Sequence, residues 1–179
     1  MSTAKKLLPV EDWPQSDREA WSNATRKGDR FEDGGPGSHW AARSLRTVTH
    51  GYRRWLGYLH DTDTDALQQP PLERITQSRV RAYIHHLQAS ITPSGTHNYI
   101  KHLADAARVM GPSLDWRWLR EIAIRLERLV TPKNKRPRMV SSPQLADLGR
   151  QLMSGAEQQK GLRPKERAIL YRDGLMIAL

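Results

Sequence analysis

The stretch from Ser38 to His60, SHWAARSLRTVTHGYRRWLGYLH, constrains the fold more than any other part of the chain. Ala41, Leu45, Val48, Tyr52, Trp55 and Leu59 recur at steps of four, three, four, three and four, which stacks them on one face of a helix. A face that apolar and that long needs a core to cover it. Arg43, Arg46, His50 and Arg53 recur on a second face, so the same helix offers a buried stripe and a basic stripe. A solvated surface accounts for the basic stripe as it stands, and a phosphate-facing surface is the sharper reading. Arg43 and Arg46 are the candidate DNA contacts on it, and Ser38 is the predicted N-cap.

Charge distribution favours a polyanionic partner. The 179 residues hold 29 Lys and Arg against 19 Asp and Glu, a net +10. Residues 38–138 carry 17 basic and 8 acidic side chains, a net +9, whereas residues 1–37 are at −1 and residues 139–179 at +2. The excess is thus concentrated on a middle block, which a generic basic tail would not produce. With no cysteine, disulfides and thiolate metal sites are excluded. No apolar run reaches the length of a signal peptide or of a membrane span of roughly 18 residues, so a soluble, cytoplasmic protein with no membrane partner is expected.

Residues 1–37, with Pro9, Pro14, Pro36 and the cluster Gly34, Gly35 and Gly37, read as an irregular arm. Trp13 and Trp21 imply that part of this arm docks, because a polar linker has no use for indoles. After the first helix, residues 61–71 read as a loop. Thr76 caps a second helix with Val80, Tyr83, Ile84 and Leu87 inward and Ser78, Arg81, His85 and Gln88 outward. Residues 90–95 break it. A third helix follows with Tyr99, Ile100, Leu103, Ala107 and Met110 inward, closed by Gly111 and Pro112. A fourth begins near Asp115, with Leu119, Ile122, Leu126 and Leu129 inward and Arg117, Arg120, Arg125 and Arg128 mainly outward. Four amphipathic helices on short loops predict a compact all-α bundle over residues 38–131.

The segment TPKNKRPR, residues 131–138, reads as extended, with a basic linker at 132–138 carrying Lys133, Lys135, Arg136 and Arg138. Beyond it, Ser142 and Pro143 open a fifth helix with Leu145, Leu148 and Leu152, and Pro164 opens a sixth that ends on an apolar run. Catalytic and metal constellations are not found. His50 and Arg53 belong to the basic face of the first helix, and Tyr171 is ordinary amphipathic filling. His85 and His86 are adjacent and point to different sides of a helix, so they do not form a metal pair. Asp61, Asp63 and Asp65 lack the glycine and glutamate of a calcium loop, with Ala66 and Leu72 at those positions. No cofactor is expected.

The order of these features resembles the N-terminal half of a tyrosine recombinase, or phage-type integrase. The residues that carry the resemblance are Tyr52 to Gly57 (YRRWLG), Ile75 and Thr76 with Val80 and Tyr83, Ser94 to Ile100, Trp116, Trp118 and Leu119, the basic linker, and Tyr171 to Met176. The resemblance covers about 38–179. It implies a four-helix, SAM-like core-binding domain, then a linker that follows the DNA backbone, then the first helices of a catalytic domain at 139–179. It further implies that Arg81, His85, Arg117 and Arg120 face double-stranded DNA and that Lys133, Lys135, Arg136 and Arg138 meet phosphates. The family's catalytic residues would all follow residue 179, so the chain is expected to bind DNA and cut nothing, as a truncated fragment of a protein that self-associates on DNA. Bacterial origin would imply nucleoid association. The alternatives are a stand-alone helical DNA-binding or architectural protein and a helical protein-interaction module.

Overall fold

The computed structural model describes residues 7–131, 140–159 and 161–178. Among the described residues there are seven α-helices and no strand. The chain divides into two compact units, Met1–Thr131 and Pro132–Leu179. The first unit contains α1 (Gln15–Thr25), α2 (Ala42–Thr62), α3 (Gln77–Gln88), α4 (Pro93–Met110) and α5 (Arg117–Arg128), with short 3-10 turns at Val10–Asp12 and Thr64–Gln68. The second contains α6 (Ser142–Gln158) and α7 (Pro164–Ala178).

The expected irregular arm is largely ordered into the first unit. Leu8, Trp13, Trp21 and Ala24 are buried in the same core as Val48, Tyr52, Trp55 and Leu59. The cause is local and then tertiary. Pro14 occupies the N-cap of α1 with φ −50, a value its ring imposes, and Asp17, Trp21 and Ala24 follow at four- and three-residue steps on one face. That face meets α2. Trp21 stacks on Tyr52 with ring centroids 6.1 Å apart, and Trp13 meets the same ring edge-on at 5.2 Å. Leu8 and Arg53 are tied twice, Leu8 N–H to the Arg53 carbonyl at 3.2 Å and Arg53 Nε to the Leu8 carbonyl at 3.2 Å. Arg53 therefore belongs to this anchor and leaves the basic stripe of α2.

α2 begins three residues later than the sequence suggests. Ala41, extended at φ −62 and ψ 151, is its N-cap and provides no side-chain cap. Ser38 is instead consumed by the preceding turn, its N–H bonded to the Gly35 carbonyl at 2.8 Å and its own carbonyl accepting from Lys27 Nζ. The predicted apolar stripe is buried from Val48 to Leu59, while Leu45 is half-buried and Ala41 exposed. α4 crosses α2 at Gly51, where a Cβ would stand 2.3 Å from the Cβ of His102. Only a residue without a side chain permits that approach.

The expected loop at 61–71 contains the 3-10 turn, which buries Ala66 and Leu67. Thr76 caps α3 as expected, its side chain accepting from Arg79 N–H at 3.3 Å, and Val80, Tyr83 and Leu87 are buried beneath it. Thr92 caps α4, so Pro93, Ser94 and Gly95, read as part of a break, already form its first turn. In α5 Leu119 and Ala123 are buried and Ile122 and Leu126 half-buried. Leu129 is not inward. It lies past the helix end and is 66% exposed.

In the second unit α6 is capped by Ser141, one residue before the expected position, in a reciprocal capping box with Gln144. The leucines that the sequence places in this helix do not form its contact face, for Leu145 and Leu148 are exposed and Leu152 is half-buried. Gly149 and Ala156 of α6 and Gly174 of α7 are the buried positions. A Cβ on Gly149 would stand 2.5 Å from the Gly174 carbonyl, and one on Gly174 would stand 2.7 Å from the Gly149 carbonyl. The two helices thus meet backbone to backbone at a glycine pair, which moves the contact away from the leucines.

Candidate nucleic-acid interface

Four of the ten candidate contacts lie on or beside hollows of the first unit that run into one another. Arg43 and Arg46, one turn apart on α2, border a shallow hollow with Thr47 and His50. Arg43 also borders a second hollow, shared with Trp40, Lys101, His102 and Asp105. Lys101 and Asp105 continue into a groove of about 670 Å³ between α4 and α5, where Arg108, Arg117 and Arg120 stand. One lane of cations therefore passes from α2 over α4 to α5. Lys101 and Arg108 were not singled out in the sequence; the i, i+4, i+7 series Lys101, Asp105, Arg108 on the outward side of α4 is the signal that could have found them.

The cations in this lane differ in how much charge they can offer. Lys101 Nζ is 3.1 Å from Asp105, and Arg117 holds the Asp115 carboxylate through Nε at 3.0 Å and Nη2 at 2.7 Å. That grip, together with the Arg117 N–H, pulls the exposed Asp115 carboxyl down to about 2. Arg117 is therefore already paired. Among the described residues, Arg43, Arg46, Arg108 and Arg120 have no acidic group within ion-pair distance. They are exposed and uncompensated.

Arg81 and His85 are exposed on α3, as the outward positions of that helix should be, but they border none of these hollows. Lys133, Lys135, Arg136 and Arg138 lie outside the described residues.

Histidines interleave with the lane. His50 Nε2 is 3.2 Å from Tyr99 Oη, with the two rings stacked at 6.0 Å. Burial first, then the charges of Arg53 and Arg54, hold the His50 imidazole below its usual range. Burial likewise lowers His102, whose Nδ1 has no partner beneath Gly51. Both are thus read as neutral near neutral pH. Among the described residues no group of three His, Asp or Glu side chains could hold a metal ion, and no helix is long and apolar enough to cross a membrane.

No family model matches the chain, and no curated protein or solved structure is detectably similar to it. The fold and the lane define a class only: an all-helical protein with a cationic surface shared by three helices of its larger unit.

Proposed function

We propose that the first unit binds double-stranded DNA through the lane formed by α2, α4 and α5, with α2 to α5 serving as a core-binding domain of the tyrosine-recombinase kind. The observation that carries this reading is the convergence of Arg43, Arg46, Arg108 and Arg120, from three separate helices, on connected hollows with no acidic partner. A solvated basic face gives no reason for cations from three helices to gather, whereas a phosphate backbone crossing helix ends does. The exposed Leu114 and Ile124 in the groove supply apolar contact beside the charges.

Contacts of this type position a duplex and carry no base readout of their own, so affinity is governed by counterion release. With about four uncompensated cations engaged, log K should fall against log salt with a slope near −3.6. Titrating a duplex oligonucleotide into the chain at several salt concentrations tests it. A slope indistinguishable from zero sinks the DNA reading and favours a helical protein-interaction module.

A further inference from the structure

His97, in the second turn of α4, borders the groove between α4 and α5. Its Nδ1 lies 2.9 Å from the Ala123 carbonyl of α5. A carbonyl only accepts, so Nδ1 carries the proton of this bond, and the ring is fixed across the two helices. In the neutral ring Nε2 is then a bare acceptor. Nε2 makes no hydrogen bond among the described residues. Solvent reaches it, because the enclosed side-chain atoms that lack a partner there belong to Trp55, Arg74, Tyr83 and His102.

Charges surround this ring on every element of the groove. α4 contributes Lys101 and Asp105, which pair at 3.1 Å, and Arg108. The turn before α5 contributes Asp115, held by Arg117 at 2.7 Å. On α5, Arg120 and Glu127 stand three residues before and four residues after Ala123, so each is about one turn from the His97 bond. Further along α4, His102 is a second imidazole, whose protonation is opposed by charge on His97. A phosphate oxygen is itself an acceptor, so against a bare Nε2 it meets a second lone pair. Protonation turns the same atom into a charged donor and leaves the Ala123 bond in place. An anion beside an imidazole favours its charged form, so anion binding and proton uptake are linked.

We propose that His97 is a proton-linked contact of this groove: a phosphate entering beside Arg108 and Arg120 is received by Nε2–H, and one proton is taken up from solvent as it binds. On the DNA reading, on which the biological ligand rests, that phosphate belongs to the duplex backbone. Imidazole is the side chain that ordinarily changes charge between about pH 5 and 8, so this contact is graded by pH where those of Arg108 and Arg120 are not. Duplex affinity therefore rises as pH falls.

The test titrates a duplex oligonucleotide into the full chain at about pH 7.5 and about pH 6.0, at fixed ionic strength, as wild type and as His97→Asn. The asparagine amide retains a donor for the Ala123 carbonyl and does not titrate. Wild-type affinity should rise about fivefold, as linkage gives for an imidazole that holds its proton about tenfold more tightly beside an anion. Most of that rise should vanish in the variant, which retains His50 and His102. In the wild-type chain alone, the His97 Nε2 nitrogen resonance should move to its protonated position when duplex is added near neutral pH, a readout that holds even if the variant does not fold. Sulfate, whose charge is constant over this range, is the second probe. Sulfate-driven protonation of His97 in a chain that binds no duplex would keep the contact and discard the DNA reading. Duplex binding with Nε2 left bare and a wild-type pH profile in His97→Asn would keep the DNA reading and overturn the contact. A chain that answers neither probe overturns both.

Discussion

Arg74 and Asp17, 57 residues apart in sequence, meet inside the first unit with Nη1 3.2 and 3.0 Å from the two carboxylate oxygens and neither side chain exposed to solvent. Tyr52 donates to the same carboxylate at 2.6 Å, and Arg74 Nη2 donates to the carbonyls of Leu67 and Gln69. The pair joins α1 to α2 and to the segment before α3. Burial raises the Asp17 carboxyl, and the Tyr52 hydrogen bond and the Arg74 charge oppose that rise. Removing one partner of such a pair leaves the other buried and uncompensated, so Asp17→Ala should destabilise the first unit by about 3–5 kcal/mol in chemical denaturation. Asp17→Ala with Arg74→Met should recover a large part of that loss. If the double variant is no more stable than the single one, the pair does not hold α1 in place.

The two histidines near the lane give a pH dependence with a definite sign. His50 and His102 both titrate below the ordinary value of 6.5 in the folded chain. Between that value and their lowered ones the unfolded chain binds more protons than the folded chain, so stability rises with pH across that window. The first unit should therefore lose stability as pH falls from about 7.5 to about 5.5, and His102→Gln should flatten the loss. Urea midpoints at the two pH values, for both proteins, provide the check. A flat wild-type profile would mean that the imidazoles are not desolvated as the packing under Gly51 implies.

What was readable in the sequence was whatever depends on neighbours a few residues away. Thr76 and the α3 stripe were legible because a cap and a 3.6-residue period are local facts, and so were the inward face of α4 and most of that of α5. α1 was not. Its apolar content is one tryptophan, Trp21, and two alanines amid polar residues, and it becomes a helix with a buried face by docking on Tyr52. The Asp17–Arg74 pair has no local signature in the sequence, because its two members stand 57 residues apart and only the tertiary fold brings them together. Leu145 and Leu148 show the opposite case: leucines usually mark the contact face, but Gly149 and Gly174 allow the backbones to approach and set the helix pair by that contact. The lane was half legible, since each helix shows its own arginines but only the crossing of α2, α4 and α5 shows which of them converge.

Arg117 and Arg120 sit on the same helix and border the same groove, yet they should not weigh equally in binding. Arg120 is unpaired, while Arg117 must release Asp115 before it can serve a phosphate. Arg120→Gln should therefore weaken duplex binding more than Arg117→Gln and reduce the magnitude of the salt slope by about one phosphate contact. Asp115→Asn should strengthen binding by freeing Arg117. Equal effects of the two arginine substitutions, with no gain from Asp115→Asn, would place the duplex elsewhere on the unit.

The second unit rests on a different kind of contact, and its weak point is one atom wide. α6 and α7 bury Gly149, Ala156 and Gly174, while Leu145, Leu148, Leu175 and Met176 stay exposed. Little large apolar area is therefore available to hold the hairpin, and close backbone packing must do most of it. A methyl group on Gly174 would lie 2.7 Å from the Gly149 carbonyl and about as near the Met153 backbone nitrogen, at 3.0 Å, so neither neighbour can yield without the helices parting. Gly174→Val should abolish hydrogen-exchange protection across α6 and α7, whereas Gly155→Ala, at a position with open space around it, should preserve or raise it through better helix propensity. Retained protection in Gly174→Val would show that the exposed leucines, and not the glycine pair, hold the two helices together.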